Sequence, residues 1–216
     1  MSDTETKPAL SYTLTEPVQI AYPIFFADVA QQARSRGIKV GDWGGQLLLN
    51  LESLDYQEIR KLLAKAAADK WPGRALNTIH FPLQKGDDLA EKDSKKQWAS
   101  GYAILKVKSP MKDRNDAPRP APPVFSISDP NTPITNSSLL VSGSFVAAAL
   151  SFKGNSGNGS NIPDSVTAYV NRLLIVKPGP RIGGADNNDV FKGVIGAYTN
   201  DDPTAGMATS DDEIPF

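Results

Sequence analysis

Two long runs of β-formers near the end of the chain, shorter strand-like runs before them, and one amphipathic helix set between the early strands predict a mainly β fold. Long polar loops separate these runs, and no regular βα alternation is present, so the expected architecture is a five- to six-stranded closed barrel of the OB type with one inserted α-helix. With 216 residues and 40% hydrophobic content the chain can bury one good core. The expected layout is a flexible segment over 1–15, the barrel over 16–198 and a disordered acidic tail over 199–216.

In chain order, IAYPIFFADVA from Ile20 reads as a strand, and Pro23 points to an edge or a bulge. GDWGGQLLLNLES reads as a turn followed by a strand near 46–51. Asp55 stands three residues before Glu58 as a capping box, and Ile59, Leu62, Leu63, Ala66 and Ala67 fall on one helical stripe that ends at Trp71-Pro72-Gly73. LNTIHFPLQKGDD reads as a strand running into a turn, EKDSKKQ as a charged loop, and WASGYAILKVKS as a strand. After the proline-rich DRNDAPRPAPP comes the strand VFSIS. SSLLVSGSFVAAALSF and SVTAYVNRLLIVK then make two long strands joined by the hairpin loop GNSGNGSN. There is no internal repeat.

Composition removes several function classes. The chain has no cysteine and one histidine, which excludes a disulfide framework and thiolate metal sites and leaves little for neutral-pH acid–base chemistry. His80, between Ile79 and Phe81, reads as a packed or edge residue, and Asp87-Asp88 as turn chemistry. GNSGNGSN misses the G-x-S-x-G nucleophile elbow because Asn158 stands where the second glycine belongs. No cofactor, no metal and no catalytic residue are expected. No apolar run is long enough to span a bilayer and the start is polar, which predicts a cytosolic, non-membrane protein.

Charge is distributed unevenly. Residues 201–216 carry five acids and no Lys or Arg, so residues 1–200 carry 23 − 19 = +4, and residues 60–119 carry 14 − 7 = +7. A basic body with an acidic end suits a protein that holds an anionic polymer. Along 98–108, Trp98, Tyr102, Lys106 and Lys108 share one strand face, opposite Ala99, Ala103, Leu105 and Val107. Flat rings for unpaired bases and ammonium groups for phosphates are what single-stranded nucleic acid requires. The competing reading is that Trp98 and Tyr102 cover a second small core. Arg172, Lys177 and Arg181 in NRLLIVKPGPRIGG add cations around a tight glycine-proline turn. That spacing matches neither a dinucleotide fingerprint nor a P-loop.

The terminal hexapeptide DDEIPF, Asp211, Asp212, Glu213, Ile214, Pro215 and Phe216, resembles the acidic tip of bacterial single-stranded DNA-binding proteins, with Glu213 in place of their commoner Asp. FPLQKGDD, LLVSGSFVAAALSF and NRLLIVKPGPRIGG resemble a tailed-phage family of single-stranded DNA-binding proteins with an OB-fold. The resemblance covers roughly 20–198 plus the tail. It implies a sequence-nonspecific coat for unwound DNA during phage replication, recombination or repair, working in the cytoplasm of an infected bacterium. It also implies docking of host or phage replication and repair enzymes on the tail, where Ile214 and Phe216 supply an apolar tip and Pro215 limits the backbone freedom lost on docking. Two other readings are open at this point: a strand-annealing recombination mediator, and a non-enzymatic structural or scaffold protein whose basic face meets a protein. A homo-oligomer is compatible with the sequence, as is a monomer.

Overall fold

The computed structural model describes residues 10–113, 115–157 and 163–183, and eight strands within them form one sheet. The first half holds β1 (Leu10–Thr13), β2 (Val18–Ile24), α1 (Ala27–Ser35), β3 (Asp42–Asn50), α2 (Leu54–Lys70), β4 (Leu83–Lys85) and α3 (Gly86–Lys92). The second half holds β5 (Tyr102–Pro110), β6 (Val124–Ser126), β7 (Phe145–Asn155) and β8 (Ser165–Lys177). Pairing runs β2–β3–β5–β8–β7 and returns to β2, which closes a five-stranded barrel. All its pairs are antiparallel except β5–β8, which is parallel. That is the strand order of an OB barrel in which β3 and β5 are the second and third strands, with β1, β4 and β6 paired outside the circuit.

Alternation fills the barrel as the sequence predicts. Leu47 and Leu49 of β3, Ala103, Leu105 and Val107 of β5, and Val166, Ala168 and Val170 of β8 all enter one core. Ile59, Leu63, Ala66 and Ala67 of α2 join it from the helix side, and Leu62 packs against its edge. Close approach of α2 to β7 requires a residue without a side chain at Gly154, where a Cβ would lie 2.6 Å from the Lys70 Cβ.

The helix start differs from the expected capping box. Ser53 is the N-cap, its Oγ accepting from the Tyr56 N–H at 3.2 Å, while Asp55 turns inward and is 1% exposed. Its carboxylate accepts from the Tyr12 hydroxyl at 2.6 Å, the Thr15 hydroxyl at 2.8 Å, the Thr15 N–H at 3.0 Å and the Glu16 N–H at 3.2 Å. Burial alone would raise this carboxyl, but these hydrogen bonds outweigh it and hold the group below its ordinary range. Burial and the same carboxylate push the Tyr12 phenol up to about 12. This knot ties β1 to α2, and β1, which pairs with β7, lies within the segment 1–15 that the sequence suggested was flexible.

Four further expectations are corrected. The strand from Ile20 ends at Ile24, where Tyr22 at φ 52 and a register shift mark the bulge signalled by Pro23; ADVAQQARS then forms α1. The supposed turn at Gly86-Asp87-Asp88 opens α3, with both acids in its first turn, where they favour the helix dipole. The charged loop folds as the end of α3 and a 3-10 turn over Ser94–Ala99. SSLLVSG is not strand: it holds a 3-10 turn at Ser137–Leu139 and a bend at Gly143, so β7 starts at Phe145. The tail residues Asp211 to Phe216, and the domain's expected end at 198, lie outside the described residues.

Candidate nucleic-acid interface

The outward faces of β3 and β5 are set by their register. Gly44 pairs with Lys108, Gln46 with Lys106, Leu48 with Ile104 and Asn50 with Tyr102, which puts all eight on the same side, away from the main core. At the Gly44 end, Gln46, Lys106 and Lys108 line an open groove of about 390 Å³, bounded by Tyr22, Lys39 and Trp43. Gly44 permits the close approach of β5 at this end, since a Cβ there would meet the Val107 carbonyl oxygen at 2.2 Å. Lys108 faces Asp42 at 3.7 Å across a largely exposed gap, an ion pair of about 0–1 kcal/mol that a phosphate can replace. Lys106 makes no ion pair among the described residues.

Lys39 and Tyr22 are contributions that sequence reasoning missed. Lys39 comes from the α1–β3 connection, and with Arg34 in the last turn of α1 and Arg36 just after it makes three cations within six positions. Tyr22 is a non-glycine residue at positive φ, an arrangement that costs about 1–3 kcal/mol and clusters at functional sites. No sequence signal beyond the following proline marks it.

Trp98 departs from its expected place. Gly101 at φ 79 turns the chain before β5 begins at Tyr102, so Trp98 belongs to the preceding 3-10 turn and not to the strand. Its indole packs on a small second core of Ala21, Leu48, Ala99, Ile104 and Ile182, and its ring meets Tyr22 edge-on at 5.7 Å between centroids. The indole N–H is buried with no hydrogen-bond partner among the described residues. This packing is the contact that the alternative reading described for it. Tyr102, by contrast, stays 37% exposed and lines a separate cavity at the Asn50 end of the same face.

The remaining cations are dispersed. Lys177 holds its ammonium 4.7 Å from the centre of the Phe145 ring, beside the Tyr102 cavity. Arg181 is exposed in the segment after β8, which is held where the Ser142 hydroxyl donates to the Ile182 carbonyl at 2.5 Å. Arg172 lies elsewhere, its guanidinium 5.9 Å over the Phe125 ring of β6. The surplus over 60–119 is divided too, because Lys61 pairs with Glu58 and Arg74 with Asp164 on or beside α2. Among the described residues no group of three or more His, Cys, Asp or Glu could hold a metal ion, and no helix is long and apolar enough to cross a membrane.

A closed five-stranded barrel with a lysine-lined groove on its second and third strands defines an OB-type protein, whose usual ligand surface is that face. Among solved structures the fold is shared with the single-stranded DNA-binding protein of bacteriophage Enc34 in complex with ssDNA. The TM-score is 0.55 at 11% identity, over 79% of this chain and 88% of that one. A C-terminal truncation of the same Enc34 protein matches with TM-score 0.55 and 11% identity, over 81% of this chain and 88% of that one. Bacteriophage T7 gp2.5, a single-stranded DNA-binding protein, matches with TM-score 0.51 and 12% identity, over 97% of this chain and 100% of that one. No family model and no curated protein sequence matches.

Proposed function

We propose that this chain is a non-catalytic protein that binds single-stranded DNA with little sequence preference, in the cytoplasm of an infected bacterium during phage replication, recombination or repair. The observation that carries the reading is the convergence of Lys39, Lys106 and Lys108 on one open groove of the OB ligand face. Its support from outside the chain is that the same fold serves phage proteins named for single-stranded DNA binding. Ammonium groups on an exposed floor attract phosphates without reading bases, so affinity should follow backbone charge.

The acidic end, Asp211 to Phe216, is proposed as the docking element for replication and repair enzymes, on the strength of its sequence alone. Pull-down with full-length protein and with Phe216→Ala separates apolar docking from charge, since the variant keeps every acid. Equal capture by both would remove the tail from the proposal. For the DNA reading, fluorescence titration with a homopolymeric oligonucleotide across salt concentrations should give an affinity that falls steeply as salt rises. Binding that is flat in salt would overturn it.

A further inference from the structure

The cavity at the Asn50 end of the ligand face has a chemistry unlike that of the groove. Its volume is about 240 Å³, below the roughly 300–1,000 Å³ of pockets for drug-sized ligands, and it suits a single ring system. No Lys or Arg is among its lining residues, whereas Glu16 and Asp55 are, and the Lys177 ammonium beside it is held over the Phe145 ring. Tyr102 and Phe145 supply aromatic surface, and Leu48 adds apolar surface.

Two amides line the same cavity, and each has its orientation fixed by a protein hydrogen bond. Gln19 Nε2 donates to the Gly143 carbonyl at 3.2 Å, which leaves Oε1 as an acceptor with no partner among the described residues. Asn50 Oδ1 accepts from the Glu52 N–H at 3.0 Å, which leaves the Nδ2 amino group as a donor with no partner among the described residues. Neither amide can flip without losing its bond, because a carbonyl can only accept and an N–H can only donate.

From this arrangement we infer that the cavity is a receptor for one unpaired nucleobase, taken between aromatic surfaces and met on its Watson–Crick edge by the Gln19 acceptor and the Asn50 donor. The inference rests on the single-stranded DNA reading above. A thymine presents a suitable pair in its N3–H and O4. In a duplex that edge is already paired, so the cavity favours single strands. The groove then holds phosphates and the cavity holds a base, with the covered patch of Leu48, Ile104, Trp98 and Ile182 on the same face.

The test is an anisotropy titration of the full chain with two labelled strands of equal length, oligothymidine and an abasic phosphodiester. Wild type should prefer the thymidine strand. Tyr102→Ala should cut that preference by about tenfold, the lower part of the range for one stacked base, Asn50→Ala should cut it by about fivefold for one lost hydrogen bond, and Tyr102→Phe should keep it. Lys106→Ala should weaken both strands alike and leave the ratio unchanged. Equal wild-type affinity for the two strands, or an unchanged ratio in Tyr102→Ala, overturns the base receptor. Failure of the groove reading is separate, since it would show as Lys106→Ala leaving both affinities intact.

Discussion

Two polar regions of this molecule are built on opposite terms. Asp55, at the start of α2, is 1% exposed, and its carboxylate collects hydrogen bonds from three residues. Lys106 and Lys108 of β5 stand in solvent with one loose carboxylate, Asp42, at 3.7 Å. A polar group whose partners are all internal contributes to the stability of the fold and has nothing left to offer a ligand. One whose partners are missing contributes little to the fold and can be completed from outside. Hence substitutions at the first region should act on melting, and those at the second on binding.

The largest expected effect is at the closed region. Asp55→Ala orphans the Tyr12 hydroxyl and the Thr15 and Glu16 donors, and should destabilise the domain by about 3 kcal/mol in urea unfolding. The sign with pH follows from the depressed carboxyl. Its stabilisation is present above the ordinary aspartate value of about 4 and is lost as pH falls through the folded value, so wild type should lose stability on acidification more steeply than Asp55→Asn.

Trp98 sharpens the comparison because it sits within the ligand face yet is packed like a core residue. Trp98→Ala should cost about 2 kcal/mol of stability, less than a fully buried tryptophan because the ring is partly exposed. Trp98→Phe should cost less, since it also removes the unpartnered N–H. If Trp98→Ala left melting unchanged and weakened binding, the ring would be a stacking platform and the division between closed and open regions would break there. The smallest effect is at Asp42. Asp42→Asn frees Lys108 and should tighten DNA binding by about 0.5 kcal/mol at low salt, with the gain vanishing at high salt.

How much of this was legible in the sequence follows the range of the forces involved. The barrel class, the stripe of α2 and the span of β8 could be read from periodicity, because each is a local pattern repeated over many residues. Lys106 and Lys108 could be read for the same reason, both lying on a regular strand. Trp98 could not, because one glycine at positive φ moved it off that strand. The inward turn of Asp55 depends on β1, some 40 residues away, and a local capping pattern cannot show it. Register alone brings Tyr102 and Asn50 together across β5 and β3, and β2 supplies Gln19.

The central claim is that the open lysines of β5 neutralise DNA phosphates. It is tested most directly by the slope of log affinity against log salt for wild type and the Lys106→Ala/Lys108→Ala double variant on one homopolymeric oligonucleotide. Each phosphate that is no longer neutralised should reduce the slope by about 0.7, so the double variant should be shallower by about 1.4, with an unchanged melting temperature. An identical slope in the two proteins would contradict the account, because the groove would then hold no phosphate.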